Sequence, residues 1–122
     1  MTRQASLYSL GDVRRFIAQG MFRLATHTCV EDVAELGLER EQVGTLLAQL
    51  TEGHFRKVYG PCETSFGTFD ADDYVAWIDV ETVSVVDQNV GQKIYIKFAI
   101  GQTRSDGTQV LIVSFHPSKR PV

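Results

Sequence analysis

Tyr95, Lys97 and His116 are the residues of this chain whose types could do chemistry together. A phenol, an ammonium and an imidazole on one surface can bind an anion. They can also move protons on a phosphodiester, because the imidazole titrates near neutrality. Whether they meet depends on a hairpin. Asp106-Gly107 lies between two runs of β-formers, and Asp-Gly favours a tight turn because both central residues need positive φ. With those two residues as the turn, Ser105 faces Thr108, Phe98 pairs with Phe115, Ile100 with Val113 and Lys97 with His116. One face then carries Ile94, Ile96, Phe98, Ile100, Leu111, Val113 and Phe115, a complete core face. The other carries Tyr95, Lys97, Ala99, Gly101, Ile112, Ser114 and His116, with small residues leaving it concave. The same pattern also fits the solvated outer face of a half-buried sheet.

A second cationic group is Arg56-Lys57, in a strand expected over His54–Tyr59. Strict alternation puts Lys57 on one face with Phe55 and Tyr59. Aromatics interleaved with cations hold single-stranded RNA by stacking and charge. Lysines on an edge strand also serve simply to block aggregation.

Other chemistry-bearing residues form no recognised pattern. His27, Cys29, His54 and Cys62 are zinc-ligand types at spacings that match no zinc motif. Asp70, Asp72 and Asp73 lack the Gly and Glu of a calcium-binding loop, so a solvated acidic loop is expected. No glycine-rich phosphate loop and no Gly-x-Ser-x-Gly elbow is present. No metal or cofactor is expected. Cys29 and Cys62 are too few for a disulfide scaffold, and two reduced thiols are expected. Trp77, in a strand, reads as core.

The elements that must position these residues divide the chain in two. In the first half, Ser9 can cap a helix whose apolar stripe is Leu10, Val13, Phe16 and Ile17, with Gly20 just past its end. Met21–His27 reads as a short strand. Thr28 with Glu31 reads as a capping box for a helix ended by Gly37. Leu38–Leu50 reads as a third helix burying Val43, Leu46, Leu47 and Leu50. The second half reads as strands over Tyr74–Val86, Gln92–Gln102 and Val110–Phe115, with turns at Asp87–Gly91 and Asp106-Gly107 and a loop over Pro61–Asp73. Helices followed by strands predict an α+β fold, N-terminal helices packed on a C-terminal antiparallel sheet.

A chain of 122 residues has the length of one domain and can bury a core unaided. The expected organisation is a single domain over 1–122, with a core over 10–116 and a flexible tail over 117–122. No apolar run is long enough for a membrane helix and no signal pattern opens the chain, so a cytoplasmic protein with no membrane partner is expected. Its formal net charge of −3 weighs mildly against nucleic acid. The distribution changes that reading. Seven acids (Glu63, Asp70, Asp72, Asp73, Asp79, Glu81 and Asp87) fall within 61–88, where there is no Lys or Arg, and the remainder of the chain to its end is basic. The expectation is a bipolar surface, basic at Lys57/Lys97 and acidic across Glu63–Asp87. Acids lining the Tyr95–His116 face would count against a nuclease.

Several short motifs occur in an order that resembles the motility quorum-sensing regulator (MqsR) toxins, within the wider RelE-like group of bacterial ribonucleases. Leu10-x-x-Val13 with Gly20-x-x-Arg23 resembles the family's opening helix and strand. Glu35-Leu36-Gly37-Leu38 is similar to the stretch before its last helix. Leu50-Thr51-Glu52 with Phe55-Arg56-Lys57 resembles Leu-Ser-Glu and Phe-Tyr-Lys. Trp77-Ile78-Asp79-Val80 resembles Trp-Gln-Asp-Val, and Ile94-Tyr95-Ile96-Lys97 resembles Val-Tyr-Leu-Lys. Val110 to Phe115 resembles the closing strand almost letter for letter.

The resemblance implies a RelE-like fold and a toxin that cleaves single-stranded mRNA without a metal, held inactive by a cognate antitoxin able to bind DNA. It places family functional positions on Lys57 and Tyr95, with His116 where the family has Lys, Ile78 where it has Gln and Arg56 where it has Tyr. On that basis Lys57, Tyr95 and His116 are the expected catalytic residues, and Arg56, Tyr59 and Lys97 the expected substrate-binding ones. Ile78 cannot hydrogen-bond a phosphate or a base. The competing reading is therefore a catalytically inactive RelE-like module that docks a protein partner.

Overall fold

The computed structural model describes residues 5–104 and 106–117. Three helices, α1 (Leu10–Ala18), α2 (His27–Glu35) and α3 (Arg40–Leu47), come first, with β1 (Phe22–Leu24) between α1 and α2. A 3-10 turn at Glu52–His54 leads into β2 (Phe55–Thr64), β3 (Gly67–Asp79), β4 (Ser84–Val86), β5 (Gln92–Thr103) and β6 (Gly107–Pro117). The fold is α+β. Its sheet has the order β1-β6-β5-β3-β2, and β4 also pairs with β3. The expected antiparallel sheet is in fact mixed, because β1 runs parallel to β6. The two strands lie at opposite ends of the chain, so no tight turn forces them antiparallel.

Local signals account for most helix ends. Ser9 Oγ accepts from the Asp12 amide, and Gly20 takes a left-handed φ of +74° after α1. α2 starts before the expected Thr28–Glu31 box. Thr26 caps it instead, since its hydroxyl accepts from the Cys29 amide and also donates to the Val113 carbonyl of β6. α3 ends before Leu50, yet Leu50 is fully buried with Val43, Leu46 and Leu47. These side chains pack on one sheet face, against Tyr74, Ile94, Ile96, Phe98, Ile112 and Phe115.

The β5–β6 hairpin differs from the expected register. Gly107, at φ +75°, pairs with Thr103, so it opens β6 instead of serving as a turn residue. Thr108 faces Gln102, and the expected partner Ser105 lies outside the described residues. Phe98 pairs with Ile112, while Lys97 pairs with Ser114, Ile96 with Phe115 and Tyr95 with His116. Val113 is the extra residue of a β-bulge, which flips the facing of one half of β6 relative to the other. Ile112 therefore joins the core, whereas Leu111 and Val113 face the other way with Ala99 and Gly101. Pro117, expected in the tail, ends β6 opposite Ile94; the rest of the tail, 118–122, lies outside the described residues.

The expected Pro61–Asp73 loop is strand throughout most of its length. Register shifts between Tyr59 and Cys62, around Gly60 and Pro61, bend the β2–β3 hairpin. Its outer half arches over the sheet. Cys62 and Ala71 pack on Val113, the Phe69 ring lies on Gly101, and the Ser65 amide at the tip donates to the Ala25 carbonyl beyond β1. The concavity left by Ala99 and Gly101 is thus filled by the protein itself. Acidic, glycine-containing sequence reads as loop when taken locally, but here the apolar partners of Phe69 and Cys62 lie on distant strands. A Cβ at Gly101 would drive into the Phe69 ring. Gly101→Ala should destabilise the fold by about 1–3 kcal/mol through overpacking, and denaturant unfolding measures it. Hydrogen exchange should rise first at the arch.

Candidate functional site

The arch covers one half of the outer face and leaves the other half open. Cross-strand pairing lays out the open half in rows. The first row is Lys57 (β2), Asp73 (β3), Lys97 (β5) and Ser114 (β6). The second is Val75, Tyr95 and His116. The third is Val86 (β4), Trp77 (β3) and Lys93 (β5).

A bulge at Arg56 decides what β2 contributes. Phe55 pairs with Tyr74, and Lys57 pairs with the adjacent Asp73, so Arg56 is the extra residue. Phe55 consequently faces the core and stacks edge-on against Tyr74, contrary to strict alternation. Lys57 keeps Tyr59 as its aromatic neighbour, with Nζ 5.4 Å from the ring centre. The bulge also turns Arg56 onto the site, with its guanidinium 5.4 Å from the Tyr95 ring and 3.4 Å from Asp73 Oδ2.

All six expected site residues therefore gather on one surface. Lys97 Nζ sits 3.9 Å over the Tyr59 ring, a close cation–π contact. Tyr95 and His116 stack at 5.9 Å between ring centres. His116 Nδ1 lies 2.7 Å from the Pro117 carbonyl oxygen. A carbonyl only accepts, so Nδ1 carries a hydrogen, and the neutral ring presents its lone pair at Nε2.

Asp73 is the residue the sequence expectation missed. Its side chain is 4% exposed, below the cations, and its Oδ1 has no hydrogen-bond partner among the described residues. The expected separation of acids from the Tyr95–His116 face fails at Asp73, and further along the same side Asp79 follows Trp77 by alternation and Asp87 lines the hollow next to Val75 and Lys93. Asp72 points the other way and accepts from the Leu7 and Tyr8 amides, anchoring the N-terminal segment. Asp70 and Glu63 lie on the arch, Asp79 ends β3 with its Oδ1 accepting from the Glu81 amide, and Glu81 and Asp87 follow β3 and β4. The alternation Asp73, Val75, Trp77 carried the signal, but a segment taken for a loop has no register to read.

Burial pushes the Asp73 carboxyl above its ordinary 3.8, and Arg56, Lys97, Lys57 and His116 pull it down without cancelling that push. The folded state then holds this proton more tightly than the unfolded chain. The group's stabilisation is complete below about pH 3.8 and is lost as pH rises through the folded value. Asp73→Asn should flatten that decline in a pH series of urea midpoints. Asp72, raised chiefly by burial as well, leaves a residual slope.

Other sequence expectations resolve similarly. Ile78 is 1% exposed and lies in the core, so this position presents nothing to the site. Trp77 is only half-buried and faces the site side, contrary to its reading as core. Cys29 and Cys62 are buried free thiols, and burial pushes Cys29 up to about 12.

Among the described residues no helix is long and apolar enough to cross a membrane. No curated protein and no solved structure matched the chain at a significant level. A model of the family described as "motility quorum-sensing regulator, toxin of MqsA" matches residues 5–117. That match runs from before the Ser9 cap to the last residue of β6, and so takes in every strand that builds the site: the chain belongs to the motility quorum-sensing regulator family, toxins that act with an antitoxin partner.

Proposed function

We propose that this toxin is a metal-independent endoribonuclease of RelE-like design, a single cytoplasmic domain that cleaves single-stranded mRNA and is silenced by a cognate, DNA-binding antitoxin. The observation that carries the reading is the Tyr95–His116 stack, set beside Arg56, Lys57 and Lys97 on the open half of the sheet.

In this reading the RNA supplies its own nucleophile. His116 Nε2 takes the proton of a 2′-hydroxyl, whose oxygen attacks the adjacent phosphorus. The bond from phosphorus to the 5′-oxygen breaks, and the leaving oxygen takes a proton from the Tyr95 phenol. The products are a 2′,3′-cyclic phosphate and a 5′-hydroxyl. Lys57 and Lys97 stabilise the extra negative charge of the pentacovalent state, as preorganised cations do. Arg56, held by Asp73, and Tyr59 position the strand. The buried Asp73 offsets part of the cationic field, so RNA binding has a modest salt dependence.

Incubating the purified protein with mRNA in EDTA tests this, with end mapping and a Lys57→Ala/His116→Ala double variant as control. Cleavage by the wild type alone, leaving cyclic phosphate ends, is expected. Equal cleavage by both proteins, or none by either, sinks the proposal. The second reading, an inactive module that docks a protein partner, draws on Ile78 lying in the core and on the acid within the site. It is favoured by partner co-purification without any growth defect on expression.

A further inference from the structure

Beside the Tyr95–His116 stack lies a cavity of about 450 Å³, lined by Gly53, His54, Val75, Trp77, Asp87 and Lys93 among others. We propose that this cavity is a nucleobase subsite, in which a base of the bound RNA stacks on Trp77 next to the nucleotide being cut. The inference rests on the nuclease reading and deepens it by assigning residues that choose the base.

The cavity joins the candidate site through shared side chains. Val75 pairs with Tyr95 and lines the cavity wall. Lys93 pairs with Trp77, lines the cavity, and holds its Nζ 5.6 Å from the Tyr95 ring centre. One cation thus stands by the Tyr95 ring and also lines the cavity of Trp77. Along β5, Lys97, Tyr95 and Lys93 alternate cation, aromatic, cation on one face, the arrangement that follows a phosphate backbone while rings take up bases. Lys93 and Lys97 are separated by roughly 13 Å along the strand, which two extended nucleotides span.

The polar wall adds selectivity. His54 Nδ1 accepts from the Thr51 amide at 3.0 Å, so the neutral ring carries its proton on Nε2 as a donor. The Asp87 carboxylate can accept from an exocyclic amino group. Cytosine, adenine and guanine have such a group and uracil does not. A base other than uracil is therefore favoured in this cavity.

Trp77 is the only tryptophan in the chain, so the unmodified protein reports on the site. Its emission is followed while 2′-O-methyl oligocytidylate or oligouridylate is added, since the blocked 2′ oxygen prevents cleavage. Anisotropy of labelled oligonucleotide gives the affinity independently. Saturable quenching with the same midpoint as the anisotropy is expected, with oligocytidylate bound more tightly. Trp77→Ala should weaken binding roughly 5- to 100-fold, and Trp77→Phe, the safer variant for folding, should lose less. Asp87→Asn should remove the preference between the two oligonucleotides. Binding without quenching, at an affinity unchanged in Trp77→Phe and Trp77→Ala, overturns the subsite and leaves the nuclease reading standing. No binding of either oligonucleotide overturns both.

Discussion

His116→Ala should slow single-turnover RNA cleavage by about 10²- to 10⁴-fold, the usual worth of a positioned acid–base group. Lys57→Ala should cost about 10²- to 10³-fold, as does loss of one preorganised donor to a developing charge. The two should differ in binding. His116 holds its ring through its own Nδ1 and the stack on Tyr95, and in the proposed step it handles a proton and does not grip a phosphate. Lys57 is an exposed cation opposite Asp73, so its removal should also weaken RNA binding and flatten its salt dependence. Measuring the cleavage rate at saturating enzyme separates these effects. If His116→Ala cleaves at the wild-type rate, the proton-transfer role assigned to this imidazole is wrong, whatever the variant does to affinity.

The second large effect concerns the scaffold beneath the site. Phe115 is fully buried, pairs with Ile96 and lies between Ser114 and His116 on β6. Its ring points into the helix-facing core while its two neighbours point to the open face. Phe115→Ala should destabilise the protein by about 3–5 kcal/mol through lost burial and the cavity left behind. That is a large share of a typical domain's stability. The urea midpoint should fall with little change in slope, because the same surface is exposed on unfolding. A loss below about 1 kcal/mol would mean that the core collapses around the gap, and that Phe115 does not fasten this strand. Cleavage measured well below the new midpoint should fall less than in His116→Ala, since the groups proposed to react remain present.

The helical half was the most legible from sequence, because its signals are local. The Ser9 hydroxyl, the apolar stripe of α1 and the left-handed positions at Gly20 and Gly37 act within a few residues of one another. Where a competing partner came from far away, the local reading slipped. Thr26 displaced Thr28 as the α2 cap because its hydroxyl also reaches Val113 on β6.

The candidate site was legible for a different reason. Side chains alternate along a strand, so Tyr95 and Lys97 were bound to share a face, and apolar β-formers elsewhere in β5 told which face was core. The expected pairing of Lys97 with His116 was wrong, yet His116 still reached that face. The Val113 bulge reversed the facing of the middle of β6 and left its end with Tyr95. The outcome agreed although the register did not.

The amino-acid sequence by itself determined the α+β order, the helix ends with local caps, and the cation–aromatic character of β5. Tertiary structure alone decided that β1 runs parallel to β6, that the acidic segment arches over Gly101, and that a bulge turns Arg56 onto the face where the unexpected Asp73 lies. The physical reason is common to all three. A bulge, a parallel pairing and a folded-over hairpin each depend on contacts between residues far apart in the chain. The alternation of side chains along one strand carries no information about which distant strand will receive them.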